Sequence, residues 1–202
     1  MEIAIQGIDK IISNLDSSIA RKAVVAALNR TTASAKTAIK RTIRETYTLK
    51  TQAIERALKV EKANYSKLRT EIRSSFLDGI KKALPLFSFE ARPVEISARA
   101  KVPVSVRIRK DKGRRRVKGA PHLTGKPFVA QMPSGHKGIF QRIPGTQMAK
   151  KKKEKIQELY TFFVLRILDQ RRIRAVVDGI INEKFPKEFE NAYKFYRDAK
   201  KF

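Results

Sequence analysis

From about Asp16 to Arg44 the chain carries no proline or glycine, and Ile19, Ala23, Ala26, Ala27, Arg30 and Ser34 recur at steps of three and four residues. That spacing predicts a long helix with a stripe of small side chains, along which a second helix could approach closely. Thr51 is placed to cap a short second helix with Ile54, Ala57 and Leu58 on one face. Beyond Lys62 the period changes to two. Leu68, Thr70 and Ile72 alternate with Arg69, Glu71 and Arg73, as in a half-buried strand. Pro85 to Arg92 predicts a second strand, with Phe87, Phe89 and Ala91 on one face, and Val102, Val104, Val106 and Ile108 a third. Phe128-Val129-Ala130 and Ile139-Phe140 flank the turn-forming Pro133-Ser134-Gly135, which predicts a β-hairpin closing at Arg142. Helical spacing returns from Ile156 to Leu168 and from Ile173 to Lys201, where Pro186 is expected to kink the helix or begin a new one.

Helix, then sheet, then helix is an α+β order. The expectation is one domain over 1–202: helical over 1–62, a β section with basic loops over 63–145, and helical over 146–202. An antiparallel sheet of four or five strands would carry the long N-terminal helix and the C-terminal helices.

Charge changes the picture more than size does. The 202 residues contain 46 Lys and Arg against 19 Asp and Glu, a formal net charge of +27. The excess is concentrated between residues 85 and 153, where 18 basic residues face 3 acidic ones. Self-repulsion on that scale is relieved by a polyanion or an acidic protein surface. Two runs carry it: Lys110, Lys112, Arg114, Arg115, Arg116 and Lys118, interrupted only by Asp111, Gly113 and Val117, and the unbroken Lys150, Lys151, Lys152 and Lys153. Each could track phosphates without reading sequence, or meet an acidic protein partner. The bland alternative is a solvated loop.

Little catalytic chemistry is visible. The two histidines, His122 and His136, lack paired-ligand spacing, and only Glu90, Glu95 and Asp111 supply carboxylates between Pro85 and Pro144. Neither phosphate-binding glycine fingerprint occurs, so no cofactor is expected. The absence of cysteine excludes disulfides and thiolate metal sites. The start, MEIAIQGIDK, is not patterned as a cleaved signal, and the most apolar window, Leu159 to Leu168, is broken by Arg166. No membrane partner is expected.

Four segments carry a family resemblance: Ala26 to Thr31 (AALNRT), Pro85 to Arg92 (PLFSFEAR), Ser134 to Arg142 (SGHKGIFQR), and Ile156 to Tyr160 (IQELY) followed by Phe185 to Glu190 (FPKEFE). In this order they resemble the minor tail protein Z family, the tail-completion proteins of long-tailed bacteriophages. Gly135, His136, Gly138, Phe140 and Arg142 lie in the sharpest of the four. Two departures stand out: Thr161-Phe162-Phe163 replaces the usual Gly-Pro-Ser, and the stretch from Phe76 to Leu84 is longer than usual. The resemblance implies a virion protein made in the bacterial host cytoplasm, placed at the head-proximal end of the tail where it joins the head, with neither cofactor nor reaction. It further implies a hexameric ring that meets the tail terminator, tail tube or head–tail connector proteins, with phage DNA in its channel. The alternative function is a nonspecific nucleic-acid-binding protein using the two basic loops.

Overall fold

The computed structural model describes residues 2–3, 17–74, 84–94, 103–147, 154–161 and 171–199. The chain divides into two compact units, Met1–Thr42 with Glu55–Asp78 and Leu165–Phe202, and Ile43–Ile54 with Gly79–Val164.

The first unit is built on the two long helices, α1 (Ser17–Thr46), whose residues from Ile43 onward are counted in the second unit, and α3 (Arg171–Ala199), with a small antiparallel sheet. The sheet has the order β1-β3-β2, from β1 (Glu2–Ile3), β2 (Leu58–Glu61) and β3 (Thr70–Ser74). Ala20, Val24, Ala27 and Leu28 of α1 pack with Ala63 and Phe185 in one apolar cluster. The buried stripe runs beside the one the sequence predicts: Ile19, Ala23 and Ala27 are buried, but Arg30 is exposed and its guanidinium pairs with Glu188 at 3.3 Å. Thr31, Thr32 and Ala35 take the inward positions instead. The helix of 3.6 residues per turn drifts past a strict three-and-four count over so many turns.

Polar side chains complete the packing. The Asn29 amide bonds both backbone groups of Ala63, accepting from its N–H at 2.9 Å and donating to its carbonyl at 3.1 Å. The hydroxyls of Thr32 and Thr70 share a buried bond of 2.6 Å. In α3 the helix continues through Pro186 rather than restarting there. Pro186 faces solvent, while Phe185, Phe189 and Tyr193 stack in succession at 6.3 and 5.9 Å between ring centres, so packing offsets the backbone bond that proline cannot make.

The second unit holds the remaining strands in three small sheets rather than the single sheet expected. The sheets are β5-β6-β7, from β5 (Glu90–Arg92), β6 (Ser105–Arg107) and β7 (Arg115–Arg116), then β10-β9-β8, from β8 (Thr124–Gln131), β9 (Lys137–Arg142) and β10 (Ile156–Glu158), and the pair β11 (Tyr160–Thr161) with β4 (Leu84–Pro85). The split begins in the aromatic segment. Leu86–Ser88 forms a 3-10 turn closed by the Phe89 N–H on the Leu86 carbonyl, so the chain pairs with β11 before the turn and with β6 after it.

Residues 156–161 are likewise strand, not helix: Ile156 to Glu158 pair with β9, and the Leu159 N–H donates to the Ile139 carbonyl at 2.8 Å. Residues 162–168 of that expected helix lie outside the described residues. Ala91, Val104, Val106, Leu123, Val129, Ile139 and Leu159 fill one core beneath these sheets. The short helix α2 (Thr51–Ala57), of which only Thr51 to Ile54 are counted in this unit, buries Ile54 and Ala57 as expected, and the buried Leu58 opens β2 in the first unit.

Candidate functional site

The first basic run is the tip and outer strand of a hairpin, β6–β7. Val104 and Val106 point into the core, so the alternate residues face out. Register places Arg92, Ser105 and Arg116 abreast across three strands, next to the Glu90–Arg107 pair. Arg107 shapes the tip: its guanidinium donates to the carbonyl of Lys110 and, at 3.3 Å, to that of Lys112. The stem is held from the other side, with the Thr48 hydroxyl on the Arg107 carbonyl, the Thr48 N–H on the Ile108 carbonyl at 3.0 Å, and the Lys110 N–H on the Thr46 carbonyl at 3.0 Å.

The cations fall into two groups. Arg114 is neutralised by Glu90, bonding its carboxylate at 2.8 Å and its carbonyl at 2.6 Å, and Arg109 grips both Asp111 oxygens at 2.8 and 2.9 Å. That guanidinium holds the Asp111 carboxyl below its ordinary range, with Lys112 adding to the effect. Lys110, Lys112, Arg115, Arg116 and Lys118 are exposed, and among the described residues none makes an ion pair. Arg92 and Arg107, outside the run that starts at Lys110, line the same surface as Glu90, Lys110 and Arg114, whereas the Arg109 guanidinium lies 5.9 Å from the centre of the Tyr47 ring. The alternation of Arg107 with the inward Val106 is the signal in the sequence that marks it as outward.

Lys150, Lys151, Lys152 and Lys153 lie outside the described residues. The two ends of their connector meet: the Lys155 N–H donates to the Thr146 hydroxyl at 3.1 Å, and the Ile143 N–H to the Lys155 carbonyl at 2.9 Å.

The hairpin β8–β9 forms where expected. Gly135, at φ 80°, takes the left-handed conformation that its turn needs, with the Gly135 N–H on the Met132 carbonyl at 2.9 Å. His136 and Gly138 then meet a residue far along the chain. His136 Nε2 lies 2.9 Å from Glu158 Oε1, and the Tyr160 hydroxyl donates to Glu158 Oε2 at 2.7 Å. Gly138 leaves room for this carboxylate, since a Cβ there would stand 2.6 Å from Glu158 Oε1 and 2.9 Å from the Phe140 ring. Phe140 is buried, and the Arg142 guanidinium sits 5.6 Å from the centre of the Phe128 ring. Pairing between β9 and β10 brings Glu158 over the hairpin, a register that spacing along the chain does not reveal.

Partial desolvation of the Tyr160 phenol, in a residue that is still 40% exposed, pushes it from its ordinary 10.0 up to about 12, with the Glu158 carboxylate adding to the rise. A raised folded value gives stability that is fully present below the unfolded value and is lost as pH climbs through the folded one. Urea midpoints should therefore fall more steeply between pH 10 and 12 in the native chain than in Tyr160→Phe. Equal slopes would mean that Tyr160 ionises freely.

Among the described residues there is no cluster of three metal-ligating side chains, and no helix is long and apolar enough to cross a membrane. What the geometry offers is a surface of unneutralised cations on a braced hairpin, beside a second hairpin locked by a carboxylate, the equipment of a binding or assembly protein. The model of the family described as prophage minor tail protein Z matches residues 5–197, and the chain belongs to that family. It is accordingly a structural protein of the phage tail. No curated protein and no solved structure matches it.

Proposed function

We propose that the chain completes the head-proximal end of the tail and joins it to the head, assembling there as a hexameric ring. The family match over residues 5–197 carries this reading, because it spans both units. A ring also accounts for surface cations without ion pairs, since an adjoining tail tube, terminator or connector protein can supply further negative charge. Quantifying the chain in purified virions should give six copies, and immunogold labelling should put them at the neck. Virions lacking it, or label at the distal tip, would overturn the proposal.

A second reading is favoured by the five exposed cations without ion pairs: the hairpin contacts DNA phosphates irrespective of sequence. The pairing pattern sharpens its test. Arg114 is already engaged by Glu90, so Arg114→Ala alone should leave the dependence of affinity on salt nearly unchanged. Changing Arg114, Arg115 and Arg116 together to Ala should lower the slope of log affinity against log salt by about 2, not about 3. An unaltered slope in the triple variant would remove DNA from the hairpin's partners.

A further inference from the structure

The core-facing side of the β6–β7 hairpin is unlike its outward side. Beneath the tip lies a groove with Tyr47, Val106 and Ile108 at its floor and Arg109, Lys112 and Arg115 around its rim. It opens at Gly113, where even an added Cβ would meet nothing within 4 Å. Asp111 occupies the Arg109 guanidinium, which leaves Lys112 and Arg115 exposed and without ion pairs at the entrance.

We propose that this groove receives an acidic segment of a neighbouring protein, a large apolar side chain entering the groove while flanking carboxylates meet Lys112 and Arg115. The inference rests on the reading of the chain as a tail-joining piece and gives the partner of its hairpin a chemistry. Charge complementarity selects an acidic occupant. The apolar floor selects protein over duplex DNA, whose phosphate backbone needs only cations and offers no aliphatic or aromatic anchor to desolvate. The long stems of Lys112 and Arg115 extend the apolar walls while their charged heads stay at the mouth.

The test uses the full chain and two fluorescent hexapeptides of equal negative charge, one with a phenylalanine among its aspartates and one with serine in that place. Fluorescence anisotropy should show the phenylalanine peptide binding about tenfold or more tightly, the gain expected from burying one large apolar side chain. Lys112→Glu combined with Arg115→Glu should weaken that peptide by at least about tenfold. Both positions are exposed, and an unchanged circular dichroism spectrum checks the fold.

Equal binding of the two peptides, or full binding by the double variant, would overturn the proposal. So would a duplex DNA that displaces the phenylalanine peptide as well as the unlabelled peptide does, because cations alone would then set affinity. No tail is present in this assay. A failed peptide preference with six copies still in the virion removes the groove's occupant alone, whereas a virion without the chain removes the tail-joining reading.

Discussion

Ile139→Ala should lower the unfolding free energy by about 2–5 kcal/mol, the range for truncating a fully buried aliphatic side chain. Ile139 has no exposed surface and lies in β9 opposite Val129. Its carbonyl receives the Leu159 N–H, and the Leu159 carbonyl in turn receives the Leu86 N–H at 3.0 Å. A cavity at Ile139 therefore opens where three chain segments are stitched together, and the surrounding backbone has little freedom to collapse into it. Ile139→Val should cost only about 0.5–1.5 kcal/mol. Urea denaturation of both variants decides the matter: a loss below about 1 kcal/mol for the alanine variant would show that the site relaxes freely.

Gly119→Ala should cost about 2–4 kcal/mol, for two reasons that act together. Gly119 has φ 84°, where a Cβ is strained, and that Cβ would stand 2.6 Å from the Gln141 side-chain oxygen. Gln141 is not free to yield. It is buried, its Oε1 accepts from the Ala120 N–H at 2.8 Å, and its Nε2 donates to the Gly125 carbonyl at 3.0 Å. Gln141→Ala would remove the clash but orphan the Ala120 N–H and the Gly125 carbonyl. The two substitutions combined should consequently cost less than their separate effects added, by about 1 kcal/mol or more. Strict additivity in the denaturation data would mean that the amide does not press on residue 119.

Much of the fold was legible where the signal is local. The proline-free run around α1, the Pro133-Ser134-Gly135 turn between two apolar stretches, and the inward alternation of Val104 and Val106 each state their structure within a few residues. Reading failed where distant pairing decides. Ile156 to Tyr160 can be helical by spacing, but β9 and then β4 supply backbone partners that make the segment extended. Pro85 to Arg92 has strand-like alternation throughout, yet the turn at Leu86–Ser88 divides it between two sheets. The candidate surface was half visible for a similar reason. The basic run names its own cations, but Glu90, which silences Arg114, reaches it from a neighbouring strand, and the grip of Arg107 on the tip shows only once the hairpin is folded. Gln141 and Glu158 likewise show their importance only once they are seen beside Gly119 and Gly138.

The grip of Arg107 on the carbonyls of Lys110 and Lys112 has a thermodynamic consequence for association. A loop of this composition would ordinarily forfeit conformational freedom when a partner captures it, and that loss would be subtracted from affinity. Here the loss is incurred during folding, so the encounter begins from a rigid template and the contacts formed on docking go more fully into binding strength.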